Sequence, residues 1–174
     1  MPDAPLKIAV AGAGSIGCYV GGMLRAAGHD VVFIGRPSMA ERLARDGLHV
    51  QSMSGKRGDV APTDLSFSVE PDAAGGATHV LVCVKSMATA EMAKALKPHL
   101  PENAMVVSMQ NGLDNREVLR NALPGHTVCA GVVTFNVVQQ DGNRFVATTE
   151  GGIHLENSPA ARALCYALDQ AGIG

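Results

Sequence analysis

The chain has no cluster of lysine and arginine on any one segment, and its formal net charge is only -2 over 174 residues. That leaves no electrostatic footprint for nucleic acid or for an anionic membrane surface. It also has little in the way of long apolar runs. The longest stretch, VCAGVVTFNVV at 128–138, falls well short of the about 20 residues that cross a bilayer, and it contains Asn136. The opening residues MPDAPLK carry an acid where a secretory signal is basic, and no cleavable apolar core follows. These absences lead to the expectation of a soluble, cytoplasmic protein.

Cysteine is sparse and scattered. Cys18, Cys83, Cys129 and Cys165 form no C-x-x-C pair and have no histidine at metal-ligand spacing, so they read as reduced small hydrophobes. The histidines (His29, His49, His79, His99, His126 and His154) show no ligand or relay spacing. No Ser-His-Asp arrangement or nucleophile elbow is visible. No repeat, low-complexity tract or linker interrupts the chain, and 47% hydrophobic composition suffices for a sizeable core. One domain over residues 1–174 is the simplest organisation.

What is present is an alternation of strand-like and helix-like segments. LKIAVA (6–11) is a near-continuous apolar run, as in a parallel strand covered on both faces. A helix is expected from Ser15 to Ala27 with Gly28 as its stop, then a strand DVVFIG at 30–35. A short helix after Pro37 ends at Gly47, and LHVQSMSGKRGDVAP together with DLSFSVE reads as an inserted hairpin. THVLVCVK (78–85) is a strand, 87–100 a helix, AMVVSMQNG (104–112) a strand segment and 115–123 a helix. HTVCAGVVTFNVV then reads as a strand that bends or changes partner near Thr134 to Asn136. Asp141 and Gly142 mark a hairpin, FVATTEGGIHLE supplies one or two antiparallel strands, and a Pro-initiated helix closes the chain. The pattern predicts an α/β fold: a mainly parallel sheet with helices on both faces and an antiparallel extension near the C-terminus.

Gly12, Ala13, Gly14, Ser15, Ile16 and Gly17 spell G-x-G-x-x-G at the end of the first strand, where a helix follows and a second strand comes at βαβ spacing. In that context Gly12 permits a tight turn, Gly14 lets backbone approach a pyrophosphate, and Gly17 allows close helix packing. Ser15 stands at a helix N-terminus, which favours an anion. The competing readings are a ligand-free tight turn and a methyltransferase-like site for an adenosyl cofactor. The second strand ends in Arg36, with no acid before Glu41. A carboxylate there would accept from a ribose 2'-hydroxyl, whereas a guanidinium holds a 2'-phosphate, so NADPH/NADP is favoured over NAD. Ser38, Lys56 and Arg57 are possible helpers. Lys85 and the group Gln110, Asn111 and Gly112 stand at the carboxyl ends of two further strands, where ligands sit in open α/β sheets. Lysine there serves a cofactor or an anionic substrate and an asparagine amide offers a donor and an acceptor; the bland alternative is a solvated strand end.

KIAVAGAGSIG, FIGR, VLVCVKS, SMQNGLDN and GVVTFNVVQQDGNRF together resemble the N-terminal domain of the ketopantoate reductase (2-dehydropantoate 2-reductase) family, from about Lys7 onward. The resemblance implies a Rossmann-type domain that binds NADPH and serves the reduction of 2-dehydropantoate, a small 2-keto acid, to (R)-pantoate, on the way to pantothenate and coenzyme A. It implies pyrophosphate binding by Gly12 to Gly17, 2'-phosphate binding by Arg36, and Lys85 lining the site beside the cofactor. It also implies that Asn111 contacts cofactor and substrate, and that the backbone around Val138 lies near the nicotinamide end. In the family a second, helical domain supplies the lysine that protonates the new hydroxyl. The last lysine here is Lys97, so the chain reads as the cofactor-binding half, truncated and poor in turnover alone. A non-catalytic NADPH-binding module, or a reductase of another 2-keto acid, are the alternatives.

Overall fold

The computed structural model describes residues 4–110 and 114–174. Its larger sheet contains β1 (Lys7–Ala11), β2 (Asp30–Ile34), β5 (Ser66–Ser68), β6 (His79–Val82), β7 (Met105–Ser108), β8 (Thr127–Val133) and β11 (Ile153–Leu155). The order is β11-β8-β7-β6-β1-β2-β5. Every neighbouring pair is parallel except β11, which runs antiparallel to β8 with Ile153 opposite Val133.

The central strand explains why two faces need covering. Ile8 and Val10 of β1 point into one buried cluster and Ala9 and Ala11 into another, as the two-residue strand period requires. On the first face lie α1 (Ser15–Ala26) and α5 (Arg162–Ala171), through Cys18, Val20, Leu24, Leu164 and Leu168. On the second lie α3 (Thr89–Leu96) and α4 (Asp114–Ala122), through Ala93, Leu96 and Leu119. The expected parallel sheet with helices on both faces is therefore present.

The expected antiparallel extension near the C-terminus is present as β11 on β8, and a second, smaller sheet stands beside it. β3 (Leu48–Gln51) and β4 (Arg57–Val60) form the inserted hairpin, and β9 (Val137–Gln140) and β10 (Arg144–Ala147) form the hairpin around Asp141 and Gly142. The two hairpins join through a parallel β3–β10 pairing, with Val50 opposite Phe145, into a separate four-stranded sheet of order β4-β3-β10-β9. This sheet packs Leu48, Val50 and Phe145 onto the outer side of α1. The segment around Phe67 is not part of the hairpin; as β5 it pairs with β2 and forms an edge of the large sheet.

The change of partner expected near Thr134 to Asn136 occurs between β8 and β9. There the Thr134 N–H donates to the Gly152 carbonyl at 3.1 Å and the Asn136 N–H donates to Thr149 Oγ1 at 2.8 Å. Phe135, buried at this corner, meets Tyr19 of α1 edge to face at 5.2 Å. The remaining helix, α2 (Pro37–Asp46), begins with proline at its first turn and ends at Gly47. Among the described residues no helix is long and apolar enough to cross a membrane.

Candidate dinucleotide-binding site

The chain leaves β1, passes through β2 and β5 on one side, and then crosses to β6 on the other side of β1. The loops after β1 and β6 therefore turn away from each other to opposite faces and leave a crevice at their carboxyl ends, which is where open α/β sheets bind ligands. The glycine turn sits at this switch point.

Gly12 has φ +112°, a backbone conformation that side chains resist, and a Cβ there would stand 2.7 Å from the Val84 nitrogen. Gly17 has no room either: a Cβ would overlap the Gly12 carbonyl oxygen and lie 3.0 Å from Val10 Cγ1. These two residues bring turn, helix and strand together. Gly14 differs, because a Cβ there would meet nothing within 4 Å. Its lack of a side chain leaves open space above the turn, the cradle a phosphate group needs. Gly14 is also the N-cap of α1 and offers no capping side chain; the first helical bond is the Cys18 N–H to the Gly14 carbonyl at 2.8 Å. The N–H groups of Ser15, Ile16 and Gly17 precede that bond, and the first turn carries no acidic side chain to compete for them. The residues present thus fit a bound pyrophosphate.

The end of β2 is fastened to this turn. Gly12 and Ala13 both donate their N–H to the Ile34 carbonyl, at 2.9 and 3.1 Å. Gly35 lies against Ala13 so closely that a Cβ would come within 2.8 Å of the alanine methyl. Sequence reasoning passed over Gly35, although its place in FIGR between strand end and arginine was the available signal. Arg36 follows directly as the N-cap of α2; it is exposed, and its guanidinium has no hydrogen-bond or ion-pair partner among the described residues. Ser38 is exposed in the first turn of α2. The Lys56 ammonium donates to the Gln170 carbonyl at 2.8 Å, at the end of α5, because the β3–β4 turn reaches toward that helix.

On the other side of the crevice, the loop after β6 passes beside Gly12 through Cys83 and Val84 and then presents Lys85, exposed, at the start of the 3-10 turn Ser86–Ala88. Gln110, at the end of β7, is buried and donates through Nε2 to the Val84 carbonyl at 2.6 Å. The structure therefore brings together the glycine turn, Arg36, Lys85 and Gln110 along one sheet edge. Asn111 lies outside the described residues. Val138 stands on β9 of the small sheet, opposite Val146 and 47% exposed.

Three other ionisable groups are tied into the fold. Burial pushes the Cys18 thiol up to about 12, and it donates to the Ala13 carbonyl at 3.5 Å, so it is no thiolate near neutral pH. Burial also lowers the pKa of His29, whose Nδ1 accepts from the Leu6 N–H at 3.1 Å, pinning the start of β1. Glu156 is held below the usual carboxylate range by the Ala130 N–H and by Arg116, which joins the end of β11 to α4.

A parallel sheet whose strand order reverses beside a glycine turn, with a free helix N-terminus facing the crevice, defines a Rossmann-type nucleotide-binding domain. The family model described as ketopantoate reductase PanE/ApbA matches residues 8–160. The chain belongs to this family of nicotinamide-dependent oxidoreductases.

Among its relatives, a 2-dehydropantoate 2-reductase of Halobacterium salinarum is 35% identical over 137 residues, which is 78% of this chain and 44% of that protein. A glycerol-3-phosphate dehydrogenase [NAD(P)+] of Agrobacterium fabrum is 32% identical over 70% of this chain and 39% of that protein. The crystal structure of a PanE/ApbA family ketopantoate reductase from Ralstonia eutropha superposes with a TM-score of 0.87 at 36% identity, covering 97% of this chain and 55% of that one. A ternary structure of D-mandelate dehydrogenase with NADH shares the fold, with a TM-score of 0.80 at 20% identity. The chain spans about half the length of these relatives or less.

Proposed function

We propose that this chain is the NADPH-binding half of a 2-keto acid reductase, and that the assembled enzyme reduces 2-dehydropantoate to (R)-pantoate. The observation that carries the choice of cofactor is Arg36: an exposed guanidinium at the end of β2, unpaired among the described residues, one residue beyond the Gly35–Ala13 contact, with no carboxylate at that strand end. A 2'-phosphate gives that guanidinium a charge-assisted partner, and a ribose 2'-hydroxyl does not. The 35% identity to a 2-dehydropantoate 2-reductase supports the substrate.

When bound, NADPH supplies the hydride for the substrate's C2 carbonyl carbon. The work of this chain is to bind and orient. The N–H groups of Ser15, Ile16 and Gly17, and the open space over Gly14, receive the pyrophosphate, with Ala13 and Gly12 forming the turn beneath. Lys85 lines the crevice beside the cofactor and attracts the substrate carboxylate. The Asn111 amide orients the keto acid against the cofactor, and the backbone near Val138 borders the nicotinamide end. No lysine follows Lys97. The proton for the new hydroxyl is assigned to the part of such reductases that residues 1–174 do not span, since the chain covers 44% of the Halobacterium salinarum relative.

A second reading, a reductase for a different keto substrate, draws support from the 32% identity to a glycerol-3-phosphate dehydrogenase. Calorimetric titration of the 174-residue chain with NADPH and NADH tests the cofactor assignment. A charge-assisted phosphate contact is worth about 1.5 to 3 kcal/mol, or about tenfold to hundredfold in affinity. NADPH is expected to bind tighter by that factor, and Arg36→Ala is expected to remove the preference; equal affinities for the two nucleotides in the unaltered chain would sink it. Adding 2-dehydropantoate to the NADPH-loaded chain is expected to give no oxidation, and turnover by the chain alone would refute the claim that the acid lies elsewhere.

A further inference from the structure

We propose that Gln110 and Thr89 are positioning residues that hold the Lys85 loop at its height over the crevice. The inference rests on the reading of the crevice as an NADPH site.

Gln110 Nε2 donates to the Val84 carbonyl at 2.6 Å and to Thr89 Oγ1 at 2.6 Å, while its Oε1 accepts from the Ser108 hydroxyl at 3.3 Å. Thr89 Oγ1 in turn donates to Asn115 Oδ1 at 3.1 Å, and Asn115 Nδ2 donates to Ser86 Oγ at 3.0 Å. The donors run in one direction, from the end of β7 through the first residue of α3 to the first turn of α4 and back to the loop after β6. Ser108, Thr89, Gln110 and Asn115 are all buried, with Thr89 fully enclosed. Buried polar side chains are costly unless every member is satisfied, and a satisfied network rigidifies the segments it joins.

The placement gives this strap its meaning. Val84 is the residue before Lys85, Ser86 the residue after it, and Gln110 the residue before Asn111. The Lys85 loop is thus gripped on both sides of its lysine, by side chains that leave Lys85 itself exposed. An apolar pair of the same shape would fill the same space without fixing the loop's height above the crevice.

A double-mutant cycle on the full 174-residue chain, read by NADPH fluorescence titration, distinguishes positioning from plain stability. Thr89→Val cuts the strap at its middle and is expected to weaken NADPH about fivefold or more, with Thr89→Ser restoring it. In a Lys85→Ala background the same Thr89→Val change is expected to cost less than about twofold, because coupled residues are not additive. Gln110→Leu is expected to behave in the same way with a larger loss; if it fails to fold, the Thr89 cycle decides. Equal losses in both backgrounds, or no loss from Thr89→Val, would overturn the proposal while leaving the NADPH site standing. Absence of NADPH binding by the unaltered chain would overturn both.

Discussion

Placing a methyl group on Gly14 separates binding from folding, and the geometry around the turn says by how much. A Cβ at Gly14 meets nothing within 4 Å, and the residue's φ of -87° and ψ of -164° suit alanine. Losing glycine's freedom in the unfolded chain stabilises by about 0.4 to 1 kcal/mol. Alanine is a poorer N-cap than glycine by a comparable amount. The two offset, so thermal unfolding of Gly14→Ala is expected to stay within about 3 °C of the unaltered chain, at about 2 to 4 °C per kcal/mol for a chain of this size. Gly17→Ala has no such room, since its methyl would overlap the Gly12 carbonyl oxygen and press on Val10. Overpacking of that kind costs about 1 to 3 kcal/mol and should lower Tm by about 2 to 12 °C.

Binding is expected to order differently. The Gly14 methyl occupies the space the pyrophosphate needs and is expected to weaken NADPH by at least about tenfold, which is about 1.4 kcal/mol. Circular dichroism melting and NADPH fluorescence titration of both variants form the assay. NADPH binding by Gly14→Ala within twofold of the unaltered chain would show that the dinucleotide does not lie over the turn. A destabilised Gly14→Ala would show that the space is not open.

Two further predictions concern stability. Asn143 holds φ +54° between β9 and β10 and donates through Nδ2 to the carbonyls of Arg42 and Gly47, at 2.8 and 3.2 Å, tying the hairpin to the end of α2. Asn143→Ala loses both bonds and the residue's tolerance of that conformation, about 2 to 4 kcal/mol together; a Tm change under 2 °C would refute the tie. His29 and His79 are both lowered by burial, His79 also by the charge of His29, so the unfolded chain binds more protons than the folded one below the free value of about 6.5. The stability that neutral His29 confers is complete above that value and is lost as pH falls from it through the lower folded-state value. A lower urea midpoint at pH 5.5 than at 7.5, with a smaller difference in His29→Gln, is the expected result, and an unchanged difference would exclude His29 as the cause.

Much of this was legible in one dimension because the chemistry involved is local. The β1 run, the glycine turn, the α1 stop at Gly28 and the Asp141–Gly142 hairpin each follow from backbone preferences within a few residues. The placement of Arg36 and Lys85 shortly beyond the ends of β2 and β6 was legible for a related reason, since the strands before them are continuous apolar runs. The changes in pairing were less accessible. Ser66–Ser68 reads as the arm of a hairpin, yet it pairs with β2, because an edge of the large sheet offered partners that its own neighbours did not. Lys56 looked available to a phosphate until the β3–β4 turn was seen to reach α5.

The sequence by itself determined the elements, the turn and the residue types at the strand ends, since each depends on neighbours in the chain. Only the tertiary structure decided that two distant hairpins make one small sheet over α1, that Gly35 presses on Ala13, and that Gln110 joins the Val84 carbonyl to Thr89. Those contacts join residues far apart in sequence. Their partners are selected by space and hydrogen-bond satisfaction in the folded state, which no local pattern encodes.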